Sequence, residues 1–185
     1  WSRRITATHN VTLAYTRMLL GPMDYTPGGF RHATPAEFTP RFILPEVMTT
    51  RAQALAMYVV YDSPFSCVSD SPDSYAGQAG LDFISEVPTV WDETRFLQGQ
   101  IGEYLVLARR KGDTWYLGAM NNETARRVRI PLDFLGTGAF EVSQYTDGAA
   151  PDQVHVRQRR RLATQSLSLE LAANGGAAAR LSPAQ

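Results

Sequence analysis

Leucine alternates with polar residues through Ser166-Leu-Ser-Leu-Glu-Leu171, a period of two that suits an extended strand with one dry face and one wet face. The same kind of pattern recurs over residues 102–109, 114–120, 126–130, 139–145, 154–157 and 176–181, with Gly, Asn, Asp or Pro between the stretches. Gly112-Asp113 separates the first two and predicts a tight hairpin connection. Seven or eight short strands spaced in this way predict a small antiparallel β-sandwich over residues 87–185.

Before Val87 the period is helical. In residues 12–20, Leu13, Arg17 and Leu20 fall on one side and Tyr15, Met18 and Leu19 on another, as in a helix packed on a sheet. A second helix is expected over residues 48–61, where Ala52, Leu55, Ala56, Val59 and Val60 have helical spacing and the alanines permit close approach; Asp62-Ser-Pro64 stops it. Ser71 and Pro72 suit the cap and first residue of a short helix, and residues 81–84 predict another helical turn. The chain is therefore expected to be α+β, with a helical portion over residues 1–86 and a β portion over residues 87–185.

The run Gly21-Pro-Met-Asp-Tyr-Thr-Pro-Gly-Gly-Phe30 leaves the first helix. Gly21 and Pro22 end that helix and Pro27-Gly28-Gly29 turns the chain again, so Asp24 and Tyr25 sit on a short extended piece between two bends. Two readings are open: Asp24 and Tyr25 are ordinary turn residues, or they are side chains presented to a ligand.

A chain of 185 residues, 44% hydrophobic and 19% charged, is long enough to bury a core. Its 18 basic and 18 acidic side chains cancel, which argues against nucleic acid or an anionic membrane as an obligate partner. The longest apolar stretch, residues 54–61, falls far below the ~20 residues of a membrane-spanning helix and is expected to be a buried helix face. Cys67 lies between apolar neighbours and is expected to be a small core residue. His9, His32 and His155 are too scattered to activate its thiol or to complete a zinc site.

Trp91-Asp92-Glu93 combines a ring that stacks on sugars with carboxylates that accept hydroxyl protons, but neighbouring strand residues point to opposite faces. Trp91 is therefore expected to plug a junction, and Asp92 or Glu93 to pair with arginines. Arg157-Gln-Arg-Arg-Arg161 has no interleaved aromatics and is expected to be a solvated edge whose charge discourages aggregation. Asn174-Gly-Gly176 precedes a strand, not a helix, and offers no phosphate cradle.

Several segments, taken in order, resemble glycoside hydrolase family 97. They are Thr12-Leu-Ala-Tyr-Thr-Arg-Met-Leu19 with the Gly21 to Phe30 run, Thr50-Arg-Ala-Gln-Ala-Leu-Ala-Met-Tyr-Val-Val-Tyr-Asp-Ser-Pro64, Pro88-Thr-Val-Trp-Asp-Glu-Thr94, Gly102-Glu-Tyr104, Ala108-Arg-Arg-Lys-Gly-Asp-Thr-Trp-Tyr-Leu-Gly-Ala-Met120 and Asp133-Phe-Leu-Gly136. The resemblance runs from about residue 8 to about residue 181. It implies that residues 1–86 are the last part of a (β/α)8 catalytic barrel, roughly a third of a fold of ~250 residues. It implies that residues 87–185 are a C-terminal β-sandwich used for packing and homo-oligomerisation.

The activity so implied is hydrolysis of terminal α-linked sugars, α-glucosides or α-galactosides, assisted by calcium, in the bacterial periplasm or outside the cell. The family's acid, base and calcium-binding glutamates precede the first helix and have no counterpart in residues 1–10. No catalytic residue and no metal ligand is thus expected within the chain, which reads as the C-terminal portion of a longer hydrolase. Residues 23–26 would form the final barrel strand or its outgoing loop, with Asp24 bonded to a sugar hydroxyl or bracing a catalytic group, and Tyr25 in a pocket wall. Arg17 would pair with an acid, and apolar surface would lie bare where the rest of a barrel packs. The alternative implied role is that of a non-catalytic structural, oligomerisation or carbohydrate-binding module.

Overall fold

The computed structural model describes residues 3–27 and 29–184, so Gly28 of the expected turn lies outside the described residues. Helix α1 spans Ala7–Tyr15 and is continued by a 3-10 turn, Arg17–Leu20; α2 spans Arg51–Val60, α3 Pro72–Tyr75 and α4 Leu81–Glu86. The strands are β1 Glu93–Gln100, β2 Tyr104–Lys111, β3 Thr114–Asn121, β4 Arg126–Pro131, β5 Ala139–Asp147, β6 Val154–Leu162, β7 Ser166–Leu171 and β8 Gly176–Pro183.

Six of these strands form one antiparallel sheet in the order β1-β2-β3-β8-β5-β6, and β4 and β7 form a second sheet of two strands. The alternation in β7 does what its sequence requires: Leu167, Leu169 and Leu171 are buried against Val128 and Ile130 of β4 and against Val106, Leu117, Ala179 and Val142 of the large sheet. The β2–β3 hairpin turns at Gly112-Asp113, where Lys111 pairs with Thr114 and Gly112 takes φ +57, a value that a residue with a Cβ adopts only under strain.

The other face of the large sheet is covered by helices, so the sandwich has a third layer. Every residue of α2 is buried. Thr50 caps the helix, its hydroxyl accepting from Gln53 N at 3.2 Å. The helix lies so close to β3 that a Cβ on Gly118 would come within 2.8 Å of Ala56 O and 2.9 Å of Val59 Cβ. Met57, Val60 and Tyr61 join Val11, Leu105 and Met120 in one cluster, while Leu55 and Val59 join Phe83, Tyr116, Tyr145 and Ala178 in another. Residues before and after Val87 therefore share buried clusters.

Several expectations are corrected. Helix α1 starts at Ala7, with Thr6 accepting from His9 N at 3.2 Å, and the regular helix stops at Tyr15. Leu19 and Leu20 are bare at 80% and 83% exposure and do not pack on a sheet. Cys67 is exposed, because Pro64 to Asp70 runs as loop without a buried residue. Strand β1 escaped the pattern reading: it is an edge strand whose register shifts between Phe96 and Gln98, which breaks the alternation that marks a strand. Strand β6 extends to Leu162, so the arginine run is strand throughout. Ser71 precedes α3 as expected, but its hydroxyl makes no capping bond and lies 3.1 Å from Ser74 Oγ.

Candidate functional site

The segment after α1 and the residues just past the end of α2 are joined at one point, Met23 N donating to Asp62 O at 2.9 Å. Polar side chains pin the loop that follows Asp24. Tyr58 OH donates to Pro27 O at 3.1 Å, and Arg51 donates to Phe30 O at 3.1 Å while its guanidinium stacks over the Phe30 ring at 4.5 Å. Asp70 accepts from Phe30 N at 3.2 Å and pairs with Arg31. Burial pushes the Asp70 carboxyl up, but bonds from Ser71 N, Phe30 N, Ser74 and Arg31 outweigh it and hold the group below the usual carboxylate range. Arg17 makes no ion pair among the described residues; it donates to Gly21 O at 3.1 Å and Pro22 O at 3.2 Å, fixing the start of the loop.

These contacts leave an open cleft of about 380 Å³ lined by Pro22, Met23, Asp24, Ser63, Pro64 and Phe65. Asp24 is exposed in it, and among the described residues no side-chain hydrogen bond engages its carboxylate. Phe65, 80% exposed, supplies the apolar wall. Tyr25 goes elsewhere: its ring meets Tyr61 edge-on at 4.8 Å within the cluster under α1, and burial pushes its phenol up. The structure thus brings Asp24 to the cleft and packs Tyr25 behind it. Phe65 and Ser63 are the cleft residues that sequence reasoning missed, since a loop residue and a loop end carry no period to read.

Trp91 is half-buried, edge-on to Tyr116 at 5.4 Å and 5.9 Å from the Arg109 guanidinium, so it fills a joint and presents no open ring face. Asp92 holds the β2–β3 turn, accepting from Lys111 Nζ at 3.0 Å and Gly112 N at 2.8 Å. The bond from Gly112 N, then that from Lys111, lowers its pKa. Glu93 pairs with Arg95 at 2.6 Å and Arg110 at 3.1 Å. The expected arginine partners are therefore found for Glu93, and a lysine and a backbone amide take their place for Asp92.

A buried polar joint between α2 and the sheets also went unread. Asp147, at the end of β5, accepts from Thr50 Oγ1 at 2.5 Å, Ala172 N at 2.8 Å and Gly176 N at 3.0 Å. Burial raises its pKa, opposed by those same donors. Gln53, fully buried, donates to Asn121 O at 2.8 Å and Gly175 O at 2.9 Å and accepts from Asn10 Nδ2 at 3.3 Å. The only sequence signal was Thr50 ahead of an apolar helix; nothing local reveals its partner 97 residues away.

Among the described residues no group of three or more His, Cys, Asp or Glu side chains is placed to hold a metal ion. No described helix is long and apolar enough to cross a membrane.

Residues 90–182 match the family model described as glycosyl-hydrolase 97 C-terminal, oligomerisation. A retaining alpha-galactosidase of Bacteroides thetaiotaomicron is 40% identical over 141 residues, 76% of this chain and 21% of that protein. A probable retaining alpha-galactosidase of Streptomyces bingchenggensis is 34% identical over 175 residues, 94% of this chain and 26% of that protein. Among solved structures, a glycoside hydrolase family 97 enzyme in complex with acarbose from Pseudoalteromonas sp. strain K8 superposes with a TM-score of 0.85 at 36% identity, covering 97% of this chain and 29% of that one. A beta-arabinopyranosidase superposes at 0.76 with 26% identity, over 94% of this chain and 27% of that one. The chain thus spans about a fifth to a quarter of the length of the curated relatives it matches. The match to the C-terminal domain over the whole β-sandwich shows that the chain belongs to glycoside hydrolase family 97.

Proposed function

We propose that this chain is the C-terminal portion of an exo-acting α-glycoside hydrolase of the α-galactosidase type, with its catalytic carboxylates on polypeptide outside the residues given. The observation that carries the reading is the 40% identity to a retaining alpha-galactosidase over 76% of the chain. In this reading residues 1–86 supply the closing part of a (β/α)8 barrel. The backbone bond from Met23 N to Asp62 O, which brings together the segments before and after α2, is compatible with the barrel's repeat of strand, helix and strand. Asp24 would then lie on the final barrel strand or its outgoing loop, at the mouth where such barrels bind substrate.

The chemistry available to Asp24 is that of an exposed carboxylate at a cleft with an aromatic wall: it accepts hydrogen bonds from sugar hydroxyls while Phe65 meets an apolar sugar face. Tyr25, packed behind against Tyr61, keeps the segment in place. Calcium and a periplasmic or secreted address rest on the family resemblance. The second reading, a non-catalytic module that joins copies of the protein, is favoured by the oligomerisation description of the matching domain, and both roles are compatible in one polypeptide. The test is the full-length protein on nitrophenyl α-galactoside and α-glucoside. Asp24→Asn is expected to lower kcat/KM on the better substrate by about tenfold, roughly one lost hydrogen bond to a charged group. An unchanged kcat/KM would remove Asp24 from the substrate site, and absence of hydrolysis of either glycoside would sink the enzymatic reading.

A further inference from the structure

Strand β6 turns a row of cations toward the core side of the sandwich. His155, Arg157, Arg159 and Arg161 pair across to Thr146, Gln144, Val142 and Phe140 of β5, and residues directly opposite on antiparallel strands share a face. On β5 that face is core, with Phe140 and Val142 buried. One strand further out the same face is cationic, and instead of covering strands there is a groove of about 440 Å³ between β6 and β7, with Ser166 and Ser168 on its far wall.

Asp147 and Glu170 also line that groove, but among the described residues neither forms an ion pair with its arginines. Among the described residues Arg157, Arg159 and Arg161 make no ion pair, and Arg161 Nε is buried without a hydrogen-bond partner. Both acids that reach the groove are committed elsewhere. Glu170 pairs with Arg127, and Asp147 takes Thr50, Ala172 and Gly176. Alternate residues of a strand are about 6.7 Å apart along the backbone, within a Debye length, so like charges on one face repel at low salt. A charged edge strand discourages sheet-to-sheet aggregation, but that purpose needs no walled groove with hydroxyls opposite the cations.

We infer that this groove binds an oxyanion carried on a saccharide, a sulfate, phosphate or carboxylate group held by the guanidinium forks, with the Ser166 and Ser168 hydroxyls and the Gln144 amide bonding the sugar's hydroxyls. The oxyanion half stands on the groove alone; the saccharide half rests on the carbohydrate-acting reading above. The test is calorimetric titration of the full-length protein with galactose 6-sulfate, galactose and sodium sulfate at one ionic strength. Galactose 6-sulfate is expected to bind with the lowest Kd. Kd should rise at least about tenfold in R157Q/R159Q/R161Q and stay within about twofold in R160Q, whose side chain sits opposite Glu141 on the other face. Arg157 and Arg159 are exposed and Arg161, half-buried, makes no ion pair among the described residues, so the triple variant should keep its glycosidase rate. Loss of binding with hydrolysis intact separates this proposal from the enzymatic one. Binding undiminished in the triple variant, or no binding at all, overturns the site. Inorganic sulfate binding as tightly as the sugar sulfate overturns the saccharide half, and so does stronger competition by an acidic peptide.

Discussion

His32 carries a pH dependence that follows from two atoms. Its Nδ1 lies 2.6 Å from Thr49 O and so holds the ring proton, while Nε2 is buried with no hydrogen-bond partner among the described residues. Burial pushes the pKa down from 6.5 to about 4, with the bond to Thr49 O opposing. The folded state therefore binds fewer protons than the unfolded chain between those values, so this contribution to stability is full above about pH 6.5 and is lost as the pH falls toward 4. At about 1.4 kcal/mol per pKa unit the loss approaches ~3 kcal/mol. Urea midpoints measured from pH 7 to pH 4.5 should fall more steeply for the natural protein than for His32→Gln, and parallel slopes would remove the effect. His32 drew notice in the sequence only as a histidine too isolated for metal or thiol chemistry, because its burial depends on a segment folding back to bond Ala33 N to Val47 O. Cys67 erred the other way: apolar neighbours in sequence gave it an interior that the loop does not supply.

Elements were legible in proportion to how local their determinants are. Helix α2 showed its spacing and its Thr50 cap, and β7 its alternation, because each has a face whose chemistry repeats at the period of its backbone. Strand β1 was not legible, since a bulge at an edge cancels the period, and the burial of α2 on every side was not, since that needs the large sheet on one flank and α1, α4 and the extended segments on the other. The tight seat of α2 on β3 makes a prediction at this scale. Gly118→Ala would drive its Cβ to 2.8 Å from a backbone oxygen of the helix, so helix and sheet must part. A loss of about 1–3 kcal/mol is expected, read as a lower urea midpoint with an unchanged m-value. A variant as stable as the parent would show that the helix can shift freely.

At the scale of the whole molecule a polar joint holds the layers together while part of the apolar surface stays exposed. Asp147 and Gln53 tie α2 to both sheets, whereas Leu19, Leu20, Phe42, Ile43 and Phe65 stand at 80% exposure or more. Single exposed hydrophobes are ordinary, but five so bare in one modest chain predict adhesion to apolar partners. The chain expressed as given should bind a hydrophobic dye in its native state, and the combination L19S/L20S/F65S should reduce that signal by about half while costing less than ~0.5 kcal/mol per site. Unchanged dye fluorescence would mean these side chains are covered in solution.

The amino-acid order alone determined the all-antiparallel β portion, the site of α2, the Gly112 hairpin and the family, because alternation, capping and turn chemistry act over a few residues. Tertiary structure decided that Asp24 faces a cleft while Tyr25 does not, that Asp147 closes a joint over 97 residues of chain, and that Arg157, Arg159 and Arg161 of β6 line a groove opposite Ser166 and Ser168. The reason is physical: periodicity tells which side of an element differs from the other, but what covers that side is contributed by strands and helices remote in the chain.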